Sequence, residues 1–225
     1  MPRVARVAPG GYVFHVLNRG NERRTIFEAD GDYLAFLRVM AETAERVPVR
    51  ILAWCLMPNH WHLLLWPKRD GELGQFMQRL TTTHVRRWRL FRQSVGHGHL
   101  YQGTYKSFPV EEDDHFYTVC RYVERNPLRA KLVRRAEDWP WSSLGGKRHP
   151  AAAAELPPLS AWPLPRPRDW PGWVHEPQTE AELEALRASI QRGRPFGSPR
   201  WQKRTAKQLG LESTFRNRGR PKKGS

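Results

Sequence analysis

The stretch "GYVFHVLNRG" alternates apolar side chains with others until Asn18-Arg19-Gly20 interrupts it, which predicts a strand and then a turn. Tyr33, Phe36, Leu37, Met40 and Ala44 follow at helical spacing, with Asp30 or Asp32 placed to cap a first helix. "VRILAWCLM" predicts an apolar second strand. After Pro58-Asn59, "HWHLLLW" predicts a third, so closely connected that the two pair antiparallel, and Pro67 ends it. Leu73, Phe76, Met77 and Leu80 mark one face of a second helix that turns basic toward its end. A short strand is predicted over 105–110. The acidic run 111–114 then opens a third helix, "HFYTVCRYVERN", where negative charge suits a helix N-terminus and where Pro127 should end or bend the rod. The order β-α-β-β-α-β-α belongs to an α+β sandwich of the ferredoxin-like (RRM-like) kind, with helices packed on an antiparallel sheet that keeps one face available for a ligand.

Beyond Trp141 the periodicity gives way to "KRHPAAAAELPPLSAWPLPRPRDWPGW", whose prolines preclude a continuous helix or central strand. Three stretches result: a catalytic-sized unit over 1–145, a Pro-rich linker or extended arm over 146–180, and a basic region over 181–225 that opens with a short helix, "TEAELEALRASIQ". A chain of 225 residues holds one good core and an appendage. Its net charge of +16 exceeds what solubility needs and makes a polyanion, nucleic acid first, the expected partner. No apolar run approaches the roughly 20 residues of a spanning helix, and the N-terminus lacks a signal-peptide core, so the expected location is the cytoplasm, at the nucleoid. Cys55 and Cys120 form no CxxC and read as core residues.

Strand alternation puts His60 and His62 on one face and Trp61, Leu63 and Leu65 on the other. Two neutral imidazoles on a rigid strand can hold one divalent ion, although the same pair also reads as buried core histidines. Tyr122 and Asn126 stand four apart on one helix face. There a phenol could serve as nucleophile and an amide oxygen as a third ligand, or the two could be an amphipathic contact and a helix C-terminal residue. His15 faces either the site or the core, and His84, His97 and His99 read as ordinary histidines. Arg79, Arg86, Arg87 and Arg89, with Trp88 and Phe91 interleaved, suit a phosphate-tracking surface, or else a solvated face with its aromatics in the core. Lys106 is a further candidate for touching DNA. So are Arg218 and Arg220 in "RGRPKK", which has the form of a minor-groove AT-hook core or of a basic tail adding nonspecific affinity.

Taken together, the His-Trp-His strand, the later Tyr-x-x-x-Asn-Pro and the intervening "GHLYQGTYKSFPVE" resemble the single-tyrosine HUH transposases of bacterial insertion sequences. The opening "GGYVFHVLNRGNERRTIF", the "WPWSS" and the terminal "AKQLGLESTFRNRGRPKK" resemble the REP-associated tyrosine transposases among them. The resemblance implies an HUH catalytic domain over 1–145 and a Mg²⁺ or Mn²⁺ ion held by His60, His62 and Asn126. It implies Tyr122 as nucleophile on single-stranded hairpin DNA, with cleavage and rejoining through a 5′-phosphotyrosine link. It also implies a monomer, with a dimer as the alternative. No general base for Tyr122 stands out; Glu111 and His115 are candidates. Two other readings compete: a DNA-binding regulator that retains the fold without catalysis, and a metal nuclease that uses water and tolerates Tyr122→Phe.

Overall fold

The computed structural model describes residues 7–94, 98–153 and 155–216. Its elements are β1 (Val13–Arg19), α1 (Asp30–Arg46), β2 (Arg50–Met57), β3 (His60–Trp66), α2 (Glu72–Phe91), β4 (Lys106–Val110) and α3 (Asp114–Glu124). After these come α4 (Asn126–Arg129), α5 (Pro150–Ala153), α6 (Trp170–His175), α7 (Glu180–Arg192) and α8 (Pro199–Leu209). The four strands form one antiparallel sheet in the order β2-β3-β1-β4, as the α+β pattern requires. None of the described helices is long and apolar enough to cross a membrane.

Period-two alternation sorts the strands onto two cores. Phe14 and Val16 of β1, Trp54 and Leu56 of β2, and Trp61, Leu63 and Leu65 of β3 pack with Phe36 and Met40 of α1 and Phe76 and Leu80 of α2. Val13, Cys55, Leu64 and Phe108 point the other way, against Phe116, Val119, Cys120 and Val123 of α3. A register shift between Ile51 and Ala53 sends consecutive Leu52 and Ala53 to the α3 side, the usual effect of a bulge. The sheet therefore does not keep an open face. The apolar i, i+3, i+4, i+7 stripe of α3 covers it, and a pocket opens where that helix ends.

Asp113 caps α3 by accepting the His115 N–H at 2.9 Å. At the other end the rod breaks at Arg125 and resumes as α4. Pro127 is tolerated there because the first turn of a helix needs no amide hydrogen from it.

The Pro-rich stretch lies along the sheet. Leu159 bridges Ile51, the Trp162 indole donates to the Leu52 carbonyl at 2.9 Å, and the Trp170 side chain is fully buried. With Leu56 N–H donating to Trp141 O at 2.8 Å and Ser143 N–H to Trp54 O at 2.9 Å, this chain closes the outer edge of β2. Phe196 bridges the end of β4, its N–H donating to Pro109 O and its carbonyl accepting the Glu111 N–H, both at 2.9 Å. Extended, proline-containing backbone suits such edges, and the tryptophans supply the apolar area that holds it down.

Glu124 of α3 is buried between these parts. Its carboxyl accepts the Trp170 indole N–H at 2.6 Å and lies 2.5 Å from the Ser143 hydroxyl. Replacing Trp170 by alanine should therefore cost about 3–5 kcal/mol in a urea melt, whereas alanine at Trp173, 41 % exposed, should cost less than about 1 kcal/mol. Equal midpoints for the two variants would mean that the segment is not part of the cooperative core.

Candidate active site

His60 and His62 project from β3 on the α3 side, their rings 5.0 Å apart. Tyr122 comes down from α3 so that its ring meets His62 edge-on at 5.7 Å. Asn126, one turn later, donates to the Tyr122 carbonyl at 2.8 Å. These four residues line one pocket of about 220 Å³ together with Arg19, Arg129 and Ile190. The Tyr122 hydroxyl makes no hydrogen bond to any described residue.

Each histidine is held by its Nδ1. The Asn59 amide donates to the Arg23 carbonyl at 3.2 Å, which turns its Oδ1 toward His60 Nδ1 at 2.6 Å. His60 is thus the donor in that bond and keeps a lone pair on Nε2. His62 Nδ1 lies 2.9 Å from Nε2 of His15, a fully buried residue of β1 whose ring stacks on His62 at 5.0 Å. His62 keeps a lone pair on Nε2 when its Nδ1–H donates to His15. His15 then carries its own proton on Nδ1, which is buried and has no partner among the described residues. Burial pushes His15 down to about 3. It pushes His60 down to about 4, with help from the Arg19 and Arg129 charges, and His62 well below the usual imidazole range. All three are neutral at pH 7, the state in which an imidazole ligates a cation.

Asn126 Oδ1 accepts the Arg129 guanidinium at 2.7 Å, and that guanidinium lies 4.5 Å over the Tyr122 ring. The second lone pair of Oδ1 remains for another partner. Two imidazole nitrogens and one amide oxygen in the pocket lining make a donor set that a divalent cation accepts.

Other sequence candidates scatter. Arg86 and Arg89 line a groove of about 1210 Å³ between α2 and residues 99–105, shared with Asn18, Gln78, Thr82 and Tyr105. Arg87 turns away and clasps Glu42 of α1 at 2.8 and 3.0 Å. Arg79 and Lys106 are exposed, Trp88 is core and Phe91 is surface. Arg218, Arg220 and His97 lie outside the described residues. His84 is buried and bonds the Tyr101 hydroxyl at 2.7 Å. Glu111, Asp113 and His115 converge within 4.8 Å as a possible cation cluster. They sit at the start of α3, where His115 is two turns or roughly 10 Å of helix rise before Tyr122, and neither Glu111 nor His115 lines the pocket that Tyr122 shares. Glu111 accepts the Ser198 N–H at 2.6 Å, and Asp113 caps the helix.

Arg19 and Arg129 are not singled out by the sequence patterns. Arg129 was within their reach, seven residues beyond Tyr122 and three beyond Asn126 on the same stripe. Arg19 pairs with His60 in the sheet register.

An antiparallel sheet presenting a His-x-His pair beneath a helix-borne tyrosine defines a single-tyrosine HUH protein. The family model "Transposase IS200 like" matches residues 11–126, and the chain belongs to that family. A Haemophilus influenzae protein assigned as a REP-associated tyrosine transposase is 26% identical over 151 residues, 63% of this chain and 78% of its own. A solved REP-associated tyrosine transposase, bound to a REP hairpin, superposes with a TM-score of 0.52 over 68% of this chain and 90% of its own at 18% identity, so the two share a fold.

The neutral histidines set a pH dependence. The folded pKa values of His15, His60 and His84 lie at about 3 to 4, below the unfolded 6.5, so unfolding takes up protons as the pH falls through 6.5. The stability they contribute is complete above pH 6.5 and declines toward their folded values. The urea midpoint should drop between pH 7.5 and 5; a midpoint that stays level or rises would contradict buried neutral imidazoles.

Proposed function

We propose that the protein is a metal-dependent single-stranded DNA endonuclease and strand transferase, acting on hairpin (REP-like) DNA through a 5′-phosphotyrosine link at Tyr122. The observation that carries this reading is the meeting of one unbonded phenol hydroxyl and two neutral imidazoles in a single pocket. His60, His62 and Asn126 are the groups that would hold Mg²⁺ or Mn²⁺. Such an ion supplies electrostatic stabilisation of charge on phosphate oxygens.

Arg19 and Arg129 place positive charge beside Tyr122, where a phosphodiester must sit to be attacked. The phenol oxygen forms the new bond to phosphorus, the bond to the 3′ oxygen breaks, and that oxygen leaves as a 3′-hydroxyl carrying the proton. Rejoining is the reverse, with the 3′-hydroxyl attacking and Tyr122 leaving, so no external energy source is needed. The histidines and the tyrosine meet within one chain, which supports action as a monomer.

The test incubates labelled single-stranded hairpin DNA with the protein and Mn²⁺ and resolves the products on a denaturing protein gel. A labelled band should form, need the metal, and fall by more than about 10³-fold in Tyr122→Phe. Cleavage without adduct, equal in the variant, would transfer the reading to a water-using nuclease. DNA binding without cutting would leave a regulator.

His15 should matter through His62 alone. His15→Leu removes the Nδ1 partner and should weaken Mn²⁺ binding about 10- to 100-fold, as read from the EPR signal of the free ion. Binding equal to wild type would detach His15 from the site.

A further inference from the structure

Several arginines are spent on acidic neighbours. Arg38 pairs with Glu155, Arg87 with Glu42, Arg92 with Glu28 and Asp32, and Arg187 with Glu180. Helix α8 gathers four cations on one face. Arg200, Lys203, Arg204 and Lys207 fall at i, i+3, i+4 and i+7 on its exposed face, and their side chains make no ion pair or hydrogen bond with any described residue. The opposite face is fixed to the body by Trp201, Thr205, Ala206 and Leu209.

This helix is well built and badly charged. Ser198 accepts the Trp201 N–H as cap, Pro199 occupies the first turn, and Gly210, at φ 63°, ends the helix. Glu111 holds the Ser198 N–H, and the Tyr12 hydroxyl donates to Gln208 at 3.2 Å. Yet no acidic residue occupies the first turn, Arg200 sits at the positive end of the helix dipole, and the four cations repel one another at every i, i+3 and i+4 spacing. A face that opposes its own helix is expected where something outside supplies the negative charge.

We propose that the exposed face of α8, carrying Arg200, Lys203, Arg204 and Lys207, binds the phosphate backbone of double-stranded DNA beside the strand that Tyr122 cuts. The proposal rests on the DNA-cleaving reading above. Duplex is favoured over single strand because α8 presents no exposed aromatic ring for bases to stack on, and because duplex has the denser row of phosphates. Contacts of this kind position DNA without reading its sequence. The place suits a stem: α8 packs by Trp201 against Tyr12, just before β1, whose far end pairs with His60, so the face lies roughly 20 Å along the sheet from the histidine pair.

The test compares the full chain with R200Q/K203Q/R204Q/K207Q, glutamine keeping side-chain length and helix propensity. Binding of a hairpin with a duplex stem, and of a single strand with the same cleavage sequence and no stem, is measured from 50 to 300 mM NaCl. For the hairpin, the slope of log affinity against log salt should become shallower by about 2 to 4, at about 0.9 for each phosphate that the variant no longer neutralises. For the single strand it should change by less than about 1. Unchanged hairpin slopes would overturn the proposal, as would equal weakening on both DNAs, or loss of binding to anionic lipid vesicles with hairpin binding intact. A wild-type chain that binds the hairpin with this salt signature but forms no Tyr122 adduct would overturn the cleavage reading and still support the α8 face.

Discussion

Three stretches of chain remote in sequence converge on one carboxyl group. Glu124 on α3 meets Ser143 from the segment that closes β2 and Trp170 from the end of the Pro-rich stretch. It is fully buried, and burial raises its pKa against the opposing pull of its Ser143 and Trp170 hydrogen bonds and the Arg166 charge. A carboxyl group there is tolerable only while its oxygens are served, because a buried polar group without a partner costs far more than a hydrogen bond gains. Glu124 and Tyr122 are two residues apart, about 200° around the helix, so they leave α3 on nearly opposite sides. The bonds to Glu124 therefore fix the roll of the helix and, through it, the direction of the tyrosine. The Pro-rich stretch is an outer brace for the chemistry on the inner side.

That inner side has an unusual electrostatic composition. Its imidazoles are neutral because burial makes protonation costly, and no carboxylate lines the pocket. The fixed charge comes from Arg19 and Arg129 alone. Such a pocket does not repel a phosphodiester, and its lone pairs stay available to a cation. The same composition explains why no side chain stands ready to take the phenol's proton.

The histidine pair was legible because strand alternation is a strict rule, and the Tyr122–Asn126 pair because helical spacing is nearly as strict. What such rules do not give is the partner from another element. His15 reaches His62 diagonally across two strands, although its register neighbour is Leu64. The prolines of 157–171 pointed to a linker or an extended arm; where that stretch lies is set by Trp162 and Trp170, whose burial depends on surfaces the sequence does not display. The basic run of α2 divides by helix geometry. Successive residues differ by 100° around a helix, so Arg86 faces the groove while Arg87 faces Glu42.

Arg129 shows how the parts of the site sense one another. Its guanidinium touches both the Asn126 oxygen and the face of the Tyr122 ring. Asn126 in turn is tied by its amide nitrogen to the Tyr122 carbonyl. An amide oxygen has two lone pairs, so a second partner can join it without expelling the guanidinium. Any charge that arrives at Asn126 must then act on Arg129, and through it on the Tyr122 ring. The short helix after Pro127 is what places Arg129 there. The proline that looks like a stop in the sequence therefore adds the third member of the Tyr122, Asn126 and Arg129 stripe.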